Sequence, residues 1–209
     1  MSDKFNETYR KSIEDPANLW KEASDDIFWF KKPSKILNKS NPPFYKWFED
    51  GVTNTCYNAL DVHINKGQGK KTALIYDSPI TGNKSKLTYE ELRSKVSKFA
   101  GALNNQGVGK GDRVIIYMPM IPEAVIAMLA CGRIGAIHSV VFGGFASNEL
   151  ASRIDDSKAK ILVTASCGFE PGRTVEYKPL VDEAVKLASH KISKMILFQR
   201  KGHEAKLNA

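Results

Sequence analysis

The chain has 209 residues, of which 42% are hydrophobic and 26% charged, and it carries a formal net charge of +8. This composition supplies a sizeable core and excludes a disordered chain, and the length suits one large domain or one domain plus part of another. The positive excess falls in residues 51–100 and 151–209, where the lysines are scattered with neither a basic helix nor interleaved aromatics; a solvated surface explains them better than nucleic-acid binding.

The first thirty residues contain Asp3, Glu7, Glu14, Asp15, Asp25 and Asp26. Signal and transit peptides lack such acidity, so the expected location is the cytoplasm. Residues 1–50 are rich in aromatics at irregular spacing, among them Trp20, Trp29, Phe44 and Trp47. That pattern suggests a segment wrapped on another surface, or else a small helical subdomain. "DPANLWKEAS" predicts a short helix with Asp15 as N-cap and Pro16 at its first position.

From residue 72 the pattern changes. "TALIYD" predicts a strand and "LTYEELRSKVSKFAGALNNQGV" a helix. In that helix Thr88 is the N-cap, Glu91 completes a capping box, Gly107 ends the run, and Leu92, Val96, Phe99 and Leu103 share one face. "KGDRVIIYMP" then predicts a turn and a buried strand, and "IPEAVIAMLACGRIGA" a helix from Pro122 to Gly135. Next come a strand in "IHSVVFG", a helix in "SNELASRIDDSKA" capped by Ser147, and a strand in "KILVTAS". "YKPLVDEAVKLASH" predicts the last helix and "KMILFQR" the last strand. Strand and helix thus alternate strictly, which implies an α/β fold with a mostly parallel sheet and helices on its faces. The apolar strands "VIIYM", "SVVF" and "ILVT" fit a sheet buried on both sides.

Ligands of such sheets bind at the C-terminal ends of the strands. Three loops qualify: "MPMIPE", "FGGFAS" and "SCGFEPGRTVE". The glycines of "FGGFAS" either let a ligand approach the backbone or allow close packing of strand against helix. In "CGFEPGRTVEYK", Arg173 near a helix start suits a phosphate, while Glu170 and Glu176 oppose a strongly positive site; from the residues alone a simple turn is the favoured reading. His63 and His138 stand alone and read as packed residues. Cys56, Cys131 and Cys167 are too dispersed for zinc or a disulfide framework, and Cys131 reads as a buried small residue. The longest apolar stretch, 124–146, is broken by Arg133, His138 and glycines, so no membrane span is expected.

"SNPPFYKWFEDGVTNTCYNALDVHI" and "KGDRVIIYMPMIPEAVIAMLACGRIGAIHSVVFGGFASNELASRIDDSKAKILVTAS" resemble acetyl- and propionyl-CoA synthetases, members of the adenylate-forming acyl-CoA synthetase superfamily. The resemblance runs from about Phe5 to Gln199, and "YMPMIPEA", "FGGFAS" and "GFEPGRTVEYKPLVDEA" are more similar to the propionate-activating branch. It implies that residues 1–62 form the family's N-terminal extension, and that 63–209 form the first part of its large, layered α/β adenylation domain. It also implies a two-step reaction. A short carboxylate and ATP, with Mg, give an acyl-adenylate and pyrophosphate, and CoA then takes the acyl group and releases AMP.

The same resemblance assigns CoA contacts. The loop matching Glu170, Pro171, Gly172 and Arg173 meets the 3′-phosphate end of CoA. Arg173 falls on a family arginine, and Gly144 on a glycine lining the CoA approach. Glu170 departs from the pattern, standing where acetate-type relatives often carry a second basic residue. No catalytic, ATP-binding or metal-binding residue is expected, because the family's Ser/Thr/Gly-rich phosphate loop and C-terminal catalytic lysine match nothing in this chain. The expectation is an N-terminal piece of a propionate enzyme, inactive alone, with small molecules as its partners. The alternatives are a piece of an acetate enzyme and a non-catalytic CoA- or partner-binding module.

Overall fold

In the computed structural model, which describes residues 3–207, the chain divides into two units between Asn54 and Thr55. The first opens with α1 (Asp3–Glu14) and α2 (Pro16–Ser24). Asp15 caps α2 as expected, accepting from the Asn18 N–H at 3.2 Å, with Pro16 at the first turn. Helix α1 goes beyond the sequence reading. A short antiparallel pair follows, β1 (Leu37–Asn38) and β2 (Lys46–Trp47). No residue from 3 to 54 is buried. Ring pairs and polar clips organise this unit instead of a core. Trp29 lies 5.5 Å from Phe48, and Phe28 meets Phe30 edge-on at 5.1 Å. The Asp50 carboxylate accepts from the Ser34 hydroxyl and from the Ser34 and Lys35 amides, which pulls its pKa down to about 2.

The second unit begins with π-helical turns over 57–61 and 64–68, which bring Leu60 into the core and Asp61 to within 2.6 Å of the Arg133 guanidinium. Strand β3 (Thr72–Ser78) pairs antiparallel with β4 (Asn83–Thr88). The alternation is therefore not strict. β4 reads "NKSKLT", too polar to register as a strand, and it forms a separate hairpin with β3. Helix α3 (Tyr89–Asn105) carries the expected capping box: Thr88 Oγ1 accepts from the Glu91 N–H and the Glu91 carboxylate from the Thr88 N–H.

Then come β5 (Arg113–Tyr117), α4 (Pro122–Ile134), β6 (Ile137–Val141), α5 (Ser147–Ser157) and β7 (Ile161–Ala165). A hairpin of β8 (Cys167–Glu170) and β9 (Arg173–Glu176) leads into α6 (Tyr177–Leu187) and β10 (Lys194–Phe198). Gly135 ends α4 at φ +72°, a conformation that costs other residues strain. Among the described helices none is long and apolar enough to cross a membrane.

β10, β7, β5 and β6 form one four-stranded parallel sheet in that order. Side chains alternate across it. Val114 and Ile116 of β5 join Val163 of β7 and the α3–α4 residues Val96, Leu103 and Ala130 in one core. Ile115 and Tyr117 face the other way, onto Leu150, Ile154 and Val181 of α5 and α6. Helices thus cover both faces, as the apolar strands predict. β6 departs from the expectation: it is an edge strand, and its Ile137 and Val140 are each 55% exposed. His138 on the same strand is exposed too, not packed. Ser147 also corrects its reading. Ala146 occupies the N-cap, and the Ser147 hydroxyl donates to Glu183 on α6 at 2.9 Å.

Truncating a fully buried β5 side chain leaves a cavity, whereas the edge strand loses little. Ile116→Ala is expected to destabilise the chain by about 2–5 kcal/mol and Ile137→Ala by less than about 0.5 kcal/mol, measured by urea unfolding.

Candidate functional site

In a parallel sheet all strands end on one side. Here the four C-terminal ends release Met118–Ile121 after β5, Phe142–Ala146 after β6, Ser166 and the β8–β9 hairpin after β7, and Gln199–Arg200 after β10. Residues from all four segments line one cleft of about 370 Å³, with Ile80 from the β3–β4 turn. The three loops chosen from sequence meet there. Much of its wall is apolar and open to solvent: Met120 is 91% exposed and Phe142 71%. A larger cleft, about 480 Å³, lies between the start of α6 and residues 203–206. Its buried Lys178 is closed by contacts of 2.6 and 2.7 Å to the two Asp182 oxygens, so its charge is already satisfied.

Two tyrosines shape the 142–146 loop. The Tyr117 hydroxyl donates to the Phe145 carbonyl at 2.7 Å, with the Gly143 carbonyl 3.2 Å away. Burial, aided by neighbouring Tyr177, pushes the Tyr117 pKa up to about 12, so this donor stays protonated. The Tyr177 ring lies 5.0 Å from that of Tyr117. A Cβ at Gly143 would stand 2.2 Å from the Tyr177 hydroxyl oxygen, and one at Gly168 would stand 2.9 Å from it. Of the two readings of "FGGFAS", close packing therefore accounts for Gly143. Gly144 lies on the cleft itself, where a Cβ would meet the Phe142 ring at 2.5 Å.

The stretch 167–176 is a hairpin, not an irregular loop. Its turn is Pro171-Gly172 with Gly172 at φ +76°, the residue chemistry of a type II turn. Glu170 and Arg173 are register partners, and the Arg173 Nη2 and Nε stand 2.6 and 2.7 Å from Glu170 Oε2. Arg173 thus sits on a strand, four residues before α6 begins, with its guanidinium already on a carboxylate and its side chain 71% exposed. Glu170 and Gly144 line the cleft, while Pro171, Gly172 and Arg173 form the tip of the hairpin beyond its lining.

Sequence reasoning missed Arg200. Its guanidinium carbon stands 4.2 Å from the centre of the Phe169 ring, its amide donates to the Ser166 hydroxyl at 2.9 Å, and it lines the cleft. The signal was available, because Arg200 follows a strand of the same parallel sheet as the three loops that were chosen.

All three cysteines are buried, and burial raises each thiol, Cys131 to about 11, so none is a thiolate nucleophile at neutral pH. His63 packs its ring 4.8 Å from Tyr89. Among the described residues no group of three or more His, Cys, Asp or Glu is placed to hold a metal ion. The cleft offers shape, apolar surface and a few charges. Among the described residues that line it there is no histidine or cysteine.

A family model described as AMP-binding enzyme matches residues 62–208, and one described as Acetyl-coenzyme A synthetase N-terminus matches residues 5–59. The chain is 53% identical to acyl-CoA synthetase short-chain family member 3, mitochondrial, of Rattus norvegicus over 196 residues, and equally so to the Homo sapiens protein of that name over 197. It is 46% identical over 198 residues to acetyl-coenzyme A synthetase of Streptomyces coelicolor. These alignments cover 94–95% of the chain, and the chain spans 29–30% of the length of each relative.

The tight approach of Tyr177 to Gly143 has a measurable cost. Gly143→Ala is expected to destabilise the chain by about 1–3 kcal/mol, the range for overpacking. In a Tyr177→Phe background the same substitution costs less, and the difference read from urea unfolding is a coupling of about 0.5 kcal/mol or more.

Proposed function

The chain belongs to the AMP-binding enzyme family, and we propose that it forms the N-terminal part of a short-chain acyl-CoA synthetase that activates propionate. In this reading the complete enzyme joins propionate to ATP, with Mg, as an acyl-adenylate and releases pyrophosphate. The CoA thiol then attacks the acyl carbonyl, and AMP leaves with the bonding electron pair. Residues 1–62 are the N-terminal extension and 63–209 the first part of the adenylation domain. Propionate is favoured over acetate by the wording of the three cleft loops. Greater identity to relatives not named for acetate, 53% against 46%, is in line with that choice.

The convergence of the strand-end loops on one cleft is the observation that carries this reading. The cleft takes CoA. Gly144 leaves its approach free of a side chain, and Arg173 takes the 3′-phosphate from the hairpin tip, with Pro171 and Gly172 setting the turn. Glu170 competes with that phosphate for the same guanidinium. For Arg173 to serve, the phosphate must share or displace the Glu170 carboxylate. The acidity of the first thirty residues is the one feature that favours a cytoplasmic location in this reading; the rat and human relatives are mitochondrial by name, and fractionation of the source cells distinguishes the two compartments.

Within this proposal the 209-residue chain alone makes no acyl-adenylate, because no segment of it resembles the family's ATP phosphate loop. Propionate-dependent ATP–pyrophosphate exchange by the isolated chain is expected to be absent, and robust turnover would show that the adenylation site lies elsewhere. In the full-length enzyme, Arg173→Ala is expected to raise the KM for CoA about tenfold or more, the scale of one charge-assisted hydrogen bond, with the KM for ATP nearly unchanged. Equal rises in both would make Arg173 structural.

A further inference from the structure

We propose that Arg200 is an anion-binding residue of the cleft, positioned to take a phosphate group of an amphipathic ligand. Three charged residues line the cleft: Asp77, Glu170 and Arg200. Each carboxylate already holds a cation that does not itself line the cleft. Asp77 has Lys84 at 3.0 Å, and Glu170 has Arg173 at 2.6 Å. Among the described residues Arg200 has no carboxylate within 4.0 Å. Among the described residues it is the one Lys or Arg that lines the cleft, and no carboxylate is paired with it.

Arg200 is also held in place. Its guanidinium lies over the Phe169 ring, its backbone is tied to Ser166, and Nη1 reaches the Cys167 carbonyl at a long 3.5 Å. The remaining donors form the planar fork that suits a phosphate. A half-buried arginine seated on an aromatic face is partly desolvated before any ligand arrives, which strengthens its pull on an anion. Around it the exposed Met120, Phe142 and Ile80 offer apolar surface. The ligand class is therefore a phosphate-bearing molecule with an apolar or flat aromatic body.

This inference rests on the cleft being the ligand site, not on CoA being the ligand, and it makes Arg200 a second arginine distinct from Arg173. The test titrates the 209-residue chain with two probes, inorganic pyrophosphate and adenosine 3′,5′-bisphosphate. Binding is followed by ¹H–¹⁵N spectra that include the arginine Nε–H signals. Both probes are expected to shift the Arg200 Nε–H saturably. Arg200→Gln is expected to weaken pyrophosphate at least tenfold, while Arg173→Ala leaves pyrophosphate within about twofold. Arg200→Lys, which retains the charge but not the fork, loses part of the affinity and serves if the Gln variant does not fold. Wild-type affinity in both Arg200 variants, or no saturable shift with either probe, overturns the proposal. Bisphosphate binding that is lost in Arg173→Ala but kept in Arg200→Gln overturns it as well and leaves the CoA reading standing. Equal affinity for the two probes at Arg200, untouched by Arg173→Ala, upholds Arg200 and removes the CoA reading.

Discussion

Burial of β5 and β7 on both faces is the constraint from which the second unit follows. Nearly every side chain of these strands is withdrawn from water, so helices must cover the sheet above and below. That requirement pairs α3 and α4 with one face and α5 and α6 with the other. Each crossover returns the chain to the start of a parallel strand, which sends every strand end to the same side. The cleft is the geometric residue of that arrangement: four loops leave one edge of one sheet and enclose the space between them.

Tyr177 ties the cleft to this core. It is the first residue of α6, yet its ring packs on Tyr117 of β5, and its hydroxyl sits against Gly143 in the loop after β6 and Gly168 in β8. One side chain thereby sets the spacing of the β6 loop and the hairpin. Tyr117 completes the clamp by donating to the Phe145 carbonyl. The loops that shape the ligand space are held by aromatic packing and short polar contacts, and the rim beyond them is left to exposed apolar side chains.

The architecture was legible because its signals are local. A capping box at Thr88, a left-handed glycine at 135 and continuous apolar runs at 114–118 and 161–163 each report their own element. Edge and centre were not legible, since "SVVF" and "ILVT" are equally apolar and only the strand order distinguishes them. β4 hid behind lysines, and Ser147 looked like a cap because its partner Glu183 lies 36 residues away. In the candidate site the strand-end rule located the loops, and Gly144 and Glu170 do reach the cleft. Arg173 does lie near a helix start, four residues before α6, but on a strand, because the Pro-Gly turn closes a hairpin that was read as loop. Arg200 was passed over because its neighbourhood, the Phe169 ring, exists only in three dimensions.

The two arginines differ in how water reaches them, and this difference makes ionic strength a control on the site. The Glu170–Arg173 pair is solvent-exposed at the hairpin tip, so dissolved ions screen it and loosen it as salt rises. Arg200 is seated on an aromatic ring and half withdrawn from solvent, where screening acts less. In dilute buffer the hairpin tip is latched by its own carboxylate. Added salt therefore weakens the exposed hairpin-tip pair more than it weakens the field around the ring-seated cation, so the two positive charges differ in their sensitivity to the medium.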